Sequence, residues 1–142
     1  MDYSASFQIS ASGMRIEKLR LDVTAANLAN MHVSSASTAD LYRPLHVVSQ
    51  PVSMAFSRQF DTVALLTGGP QAIVEPSAAA PRMVYEPGHP HADRRGFVAY
   101  PGVNHAAEMV NLSNALRAYE ANVVAMNAAK TMAARTLEIG GQ

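Results

Sequence analysis

The sequence predicts an α+β chain in which long N- and C-terminal helices pair as a coiled coil around a small β-rich insert. Three observations carry this expectation. Apolar residues recur at helical spacing in both terminal stretches. All eight prolines, and most of the glycines, fall between Met31 and Asn104. Within that interval, short runs of β-type residues alternate with turn chemistry. The natural division is therefore into residues 1–30, 31–104 and 105–142.

The first helix is expected from about Ser4 to Asn30. Phe7, Met14, Leu21 and Leu28 recur every seven residues, as do Ile9, Ile16 and Val23, and Ala5, Leu19 and Ala26 with Ser12 between. The apolar arc is thus broad rather than a narrow seam. Gly13 lies inside it, where glycine costs about 1 kcal/mol relative to alanine, so a close contact or a local bend is expected there. The stretch "LDVTAANLAN" (Leu21–Asn30) places Thr24, Ala25, Ala26, Asn27, Ala29 and Asn30 where an ordinary helix would carry charges. Small side chains permit close backbone approach and amides bond across a contact, so this helix is built to have neighbours on more than one side.

The middle segment begins with a Ser/Thr/Ala linker at Met31–Asp40. The runs "LHVVSQ", "VSMAF", "QAIVE", "RMVYE" and "GFVAY" then read as four or five short strands, separated by turns such as "TGGP" and "PGHPHAD". Proline lacks the N–H that a ladder needs, so Pro44, Pro51 and Pro81 confine these strands to edges or strand ends.

The last segment has the strongest pattern. Met109, Leu112, Leu116, Tyr119, Val123, Met126, Lys130, Ala133 and Leu137 follow alternating steps of three and four. That is an a/d heptad interrupted only by Lys130. Asn104 is placed to cap the helix, Glu108 favours its positive start, and Gly140-Gly141 supplies a stop. The expected intramolecular seam sets Met109, Leu112, Leu116, Tyr119, Val123 and Met126 against Met14, Leu21 and Leu28. A second register contains Ala107, Asn114, Ala121 and Ala128, with Ala118 and Ala125 beside it. It is either plain helix-forming alanine or a second packing face. The assembly surface on that second reading adds Ala121, Asn27 and Asn30. A buried Leu or Val contributes about 1.5–3 kcal/mol, while ordering a residue costs about 1–2 kcal/mol. Two Ala-rich helices with few large side chains are therefore marginal as an isolated pair, and neighbouring chains are expected to complete them.

Composition bounds the function. The formal net charge is zero, and the basic residues are scattered among acids, which offers no bulk attraction to nucleic acid. There is no cysteine, so disulfides, thiolate nucleophiles and Cys-based zinc sites are excluded. No apolar run approaches the roughly 20 residues that span a bilayer. The start, "MDYSASFQIS", has an acid where a secretory signal would be basic, and no apolar core follows. The expectation is a chain that stays in the cytosol unless another export system carries it.

Enzyme chemistry has little to stand on. The histidines are His32, His46, His89, His91 and His105. His89 and His91 with Asp93 could aim two imidazoles and a carboxylate at one ion, but zinc sites use three or four protein ligands. The segment is also a Pro/Gly turn, where polar surface residues are ordinary. No G-x-S-x-G elbow accompanies the serines, and "TGGP" is followed by neither lysine nor a helix. No catalytic residue, metal or cofactor is expected.

The segment "ASGMRIEKLRLDVTAANLAN" resembles the N-terminal signature of the bacterial flagellar axial proteins, the rod and hook subunits. "YRPLHVVSQ", "RMVYEPGHPHADRRGFVAYPGVN" and "EMVNLSNALRAYEANVVAMNAAKTMAARTLEIGGQ" extend the likeness, most closely to the basal-body rod subunits of that family. The resemblance implies a proximal-rod component in the periplasm that self-assembles through its terminal helices and transmits torque. It also implies export through the flagellar type III apparatus without a cleaved signal. The implied partners are further copies of the chain, other rod subunits and that apparatus, with no nucleic acid and no membrane insertion. The alternatives are a soluble coiled-coil adaptor, stable as an oligomer in dilute solution, and a divergent rod paralogue of a second flagellar system.

Overall fold

The computed structural model describes residues 3–50 and 71–140. In chain order these form α1 (Tyr3–Asn30), β1 (Leu45–Gln50), β2 (Gln71–Pro76), β3 (Arg82–Tyr85), β4 (Phe97–Tyr100) and α2 (His105–Gly140). The α+β class is as expected, and four of the strand-like runs are strands. The run "VSMAF", Pro51 and the "TGGP" turn lie outside the described residues.

Local chemistry sets the boundaries. α1 has 28 residues, about 40 Å at 1.5 Å per residue. At its end the Asn30 side chain donates to the Ala26 carbonyl at 2.8 Å, folding the amide back onto the preceding turn of its own helix. α2 has 36 residues, about 50 Å. Asn104 starts it as expected, for its Oδ1 accepts from the Ala107 N–H at 3.2 Å. Its carbonyl accepts the first helical bond from Glu108 at 3.0 Å. Pro44 and Pro81 stand immediately before β1 and β3, where the missing N–H removes no ladder bond.

The strands form two two-stranded sheets, β1 with β2 and β3 with β4. β3 and β4 are antiparallel, with Met83 opposite Ala99 and Tyr85 opposite Phe97. Their connection closes on Asp93, whose Oδ1 accepts from the N–H groups of Arg95 and Phe97, each at 2.8 Å. The Phe97 bond, more than any other influence, holds this carboxyl below the usual carboxylate range, although partial desolvation opposes it. Gly96 turns the chain at φ +83°, and a Cβ there would stand 2.9 Å from the Tyr85 ring. Ser35 bridges antiparallel to Ala99, so the residues after α1 run beside β4.

The chain folds as two compact units. One takes in α1 as far as Leu19 and α2 from Asn114; the other is built from Arg20–Val47 and Val74–Ser113. The second has the more conventional core, with Val23, Leu41, Val98, Ala99 and Pro101 buried. In the first, the buried residues are small or polar as often as apolar: Ser10, Ser12, Ile16, Glu17 and Ala115. That unit meanwhile exposes Leu116, Val124, Met132 and Leu137.

Candidate assembly surface

Asn27 explains why an amide stands in the helical stretch "LDVTAANLAN". It is 1 % exposed, near the end of α1. Its Nδ2 donates to the Leu45 carbonyl at 2.8 Å, and its Oδ1 accepts from the Leu45 N–H and the Tyr42 hydroxyl, both at 2.9 Å. Both backbone groups of one residue are thus read by one side chain, which fixes where the chain returns to begin β1. Burial, with the Glu108 carboxylate as a lesser cause, pushes the Tyr42 hydroxyl above its ordinary range and keeps it a donor. Thr24, one turn earlier, is also buried. The Asn27 amide is thus an intramolecular joint, and the exposed positions on this stretch are Asp22, Ala25 and Ala29.

The residues expected to form the seam divide. Met14, Leu21, Leu28 and Asn30 on α1, and Leu112, Val123 and Met126 on α2, are half-buried. Met109 and Leu116 are each 44 % exposed, Tyr119 is 36 % exposed, and Ala121 is exposed. The most buried position on α2 is instead Ala115, at 3 %. With half-buried Glu108, Leu112, Ala118, Asn122, Met126, Ala129 and Ala133, it defines an inner face displaced by about one residue from the a/d series at several turns. Met109, Leu116 and Tyr119, expected in the intramolecular seam, thus lie beside this inner face with a substantial part of each side chain exposed. The physical reason is that small and amide side chains admit a closer approach than an a/d seam of large ones.

Gly13 gives that closeness a distance. A Cβ on Gly13 would lie 2.9 Å from the side-chain amide atoms of Asn122, and the Asn122 Nδ2 is itself tied to the Ala118 carbonyl at 2.9 Å. An added methyl must displace a bonded amide, and such overpacking costs about 1–3 kcal/mol. Alanine returns about 1 kcal/mol of helix propensity. Gly13→Ala is expected to lower the thermal midpoint followed by circular dichroism. Combining it with Asn122→Ala should raise the midpoint above that of Asn122→Ala alone. A Gly13→Ala single variant more stable than wild type would mean that the helices do not meet there.

His89 and His91 come together, their ring centroids 5.3 Å apart. Asp93 does not join them, since its Oδ1 is occupied by backbone N–H groups. The His89 Nδ1 accepts from the His91 N–H at 3.0 Å, so in the neutral ring the proton sits on Nε2, the atom a metal would need bare. Among the described residues no three His, Cys, Asp or Glu side chains could hold a metal ion. A cleft of about 310 Å³ lies beside Tyr42, Arg43, Ser77 and Gly102, and Tyr42 and Arg43 are its titratable lining residues. That pair provides no general acid–base couple near neutral pH.

The sequence was compared with known proteins. A family model described as flagellar basal body rod FlgEFG protein C-terminal matches residues 94–139, which take in β4 and nearly all of α2. Over 135 residues, 94 % of this chain and 95 % of the relative, the sequence is 39 % identical to the flagellar basal-body rod protein FlgC of Escherichia coli. The chain belongs to the FlgC family of flagellar basal-body rod proteins. The FlgC of Salmonella typhimurium is 38 % identical over the same share of each chain. That of Bacillus subtilis is 35 % identical over 144 residues, covering 95 % of this chain and 96 % of its own. Ala115, Asn122 and Tyr42 were missed by periodicity. Only Gly13 signalled in advance that an opposing side chain would sit unusually close.

Proposed function

We propose that this chain is a structural subunit of the flagellar basal-body rod that transmits torque through helix packing and has no catalytic role. One observation carries the packing model: α2 bears an a/d heptad series whose members Met109, Leu116, Tyr119 and Leu137 are left exposed by the chain itself. A heptad series specifies helical partners, and exposed residues in it call for helices of other subunits. On this reading α1 and α2 pair as a coiled coil through the small-residue face that includes Gly13, Ala115 and Asn122. Met109, Leu116, Tyr119, Ala121, Leu112, Val123 and Met126, with Met14, Leu21, Leu28 and Asn30, meet further copies and other rod subunits at the margins of that pair. Asn27 holds the insert to the end of α1. The divisions 1–30, 31–104 and 105–142 then act as inner helix, outer insert and inner helix. The subunit reaches the periplasm through the flagellar type III apparatus, without a cleaved signal. Among the described residues no helix is long and apolar enough to cross a membrane.

Mass spectrometry of detergent-washed basal bodies from the source organism tests the proposal. The expected result is several copies of this chain per motor. Intact basal bodies that contain another FlgC-family chain and lack this one would assign it to a second flagellar system or to a soluble adaptor role.

A further inference from the structure

We propose that Ser34, His89 and His91 form a pH-responsive clasp, which holds the residues after α1 beside β4 while both imidazoles are neutral and releases them on protonation. The Ser34 Oγ lies 3.0 Å from the His91 Nδ1 and 3.5 Å from the His89 Nε2. The bond from the His91 N–H to the His89 Nδ1 fixes the direction of every proton in the chain. His89 carries its proton on Nε2 and points it at Ser34; the Ser34 hydroxyl then donates to the bare Nδ1 of His91. Two of the three links, those received by the His89 Nδ1 and the His91 Nδ1, require a ring nitrogen without a proton.

Protonation acts at two places. A proton on the His89 Nδ1 sets two N–H groups against each other. A proton on the His91 Nδ1 turns it from acceptor to donor, so the Ser34 hydroxyl loses the acceptor for its own proton and its Oγ faces N–H groups from both rings. With both rings charged, two cations stand 5.3 Å apart between centroids. Imidazole is the side chain that ordinarily changes charge between pH 5 and 8. What the clasp secures is defined: Ser34 adjoins Ser35, whose bridge to Ala99 is what places this segment along β4.

The surrounding charges can be named. On β4, Tyr100 stands with its ring 6.5 Å from that of His89, and its hydroxyl donates to the Glu86 Oε2 at 3.0 Å. That bond, chiefly, keeps the Tyr100 hydroxyl above its ordinary range, so it stays neutral across the window. The Arg82 guanidinium lies over the Tyr100 ring. On the turn itself, Asp93 is held below its usual range and stays charged, while Arg94 and Arg95 are permanently cationic. On the segment after α1, His32 lies two residues before Ser34 and is tested separately.

The test is amide hydrogen exchange of the full chain by NMR at residues 33–36 and 99, corrected for the intrinsic pH dependence of exchange. Protection is expected to fall about tenfold between pH 7.5 and 5.5, the scale of one net hydrogen bond. Ser34→Ala should show the low value at both pH values, and His89→Phe with His91→Phe should remove the pH dependence. The variant His32→Gln should retain it. Nitrogen shifts of the imidazoles at pH 7.5 give a readout that requires no variant to fold, and should show His89 protonated at Nε2. Constant protection in the wild type, a drop that survives the double replacement, or a drop lost with His32 overturns the clasp. So does a His89 ring protonated at Nδ1 at pH 7.5.

Discussion

Leu116→Asp abolishes rod assembly and swimming while leaving the helix content and thermal midpoint of the isolated chain close to wild type. This combination follows from where Leu116 sits. It is 44 % exposed in the chain, so its carboxylate replacement remains hydrated in the monomer. Exposed substitutions of this kind usually shift stability by no more than about 0.5 kcal/mol. In the proposed rod packing the same position meets another subunit's helix, where an unpaired buried charge costs several kcal/mol. The penalty recurs at every copy of a repeating structure. Ala115→Asp gives the contrasting result, because Ala115 is 3 % exposed within the chain and a carboxylate there must be buried before any assembly occurs. That variant should lose helix signal as a monomer. The pair is read by circular dichroism of the purified chains together with swimming assays and electron microscopy of basal bodies. Loss of helix in the Leu116→Asp monomer would restore Leu116 to the chain's own seam. A swimming strain that carries it would remove this face of α2 from the rod contacts.

The same two residues show how far periodicity reaches. Both helices, the N-cap of α2 at Asn104, and four strands, two of them starting just after Pro44 and Pro81, were legible because each rests on local chemistry. Heptad spacing identifies which residues want burial, but not whether the covering surface belongs to the same chain. Leu116 and Ala115 are adjacent, and only a partner's position decides which of them is inside. Size gave the wrong order: the expectation put large side chains in the intramolecular seam, whereas Ala115, Ala118 and Asn122 take the inner face. Gly13 was readable as a close contact because its propensity cost needed a reason, and Asn122 supplies it. The Ser34–His89–His91 cluster was not readable, since residues 55 and 57 positions apart are joined by tertiary folding alone. "PGHPHAD" was correctly expected to be a turn, and the turn is what presents the two rings.

Asn27 carries the second large effect. Asn27→Leu keeps the branched outline of the side chain and raises helix propensity, but removes three hydrogen bonds from a site 1 % exposed. The Leu45 N–H, the Leu45 carbonyl and the Tyr42 hydroxyl are all left to find new partners. Each buried orphan costs about 1–3 kcal/mol, and because the three share one side chain their costs overlap rather than add. A total loss of about 3–5 kcal/mol is expected in urea unfolding, a large part of the stability of a domain this size. Tyr42→Phe removes only one bond and should cost about 1 kcal/mol. Asn27→Asp separates hydrogen bonding from shape. Its carboxylate can still accept from the Leu45 N–H and the Tyr42 hydroxyl, but an anionic oxygen replaces the Nδ2 donor and faces the Leu45 carbonyl. Burial and that carbonyl both raise the folded-state pKa of the new acid above its unfolded value. The destabilisation is therefore complete above the folded-state pKa. It fades as pH falls through that value towards the unfolded one, where a protonated acid can donate to Leu45 as the amide does. Unfolding curves of wild type and Asn27→Asp should converge on acidification, while those of wild type and Asn27→Leu stay apart. If Asn27→Leu unfolds with the wild-type midpoint, β1 is anchored by its packing alone and the amide of α1 has some other task.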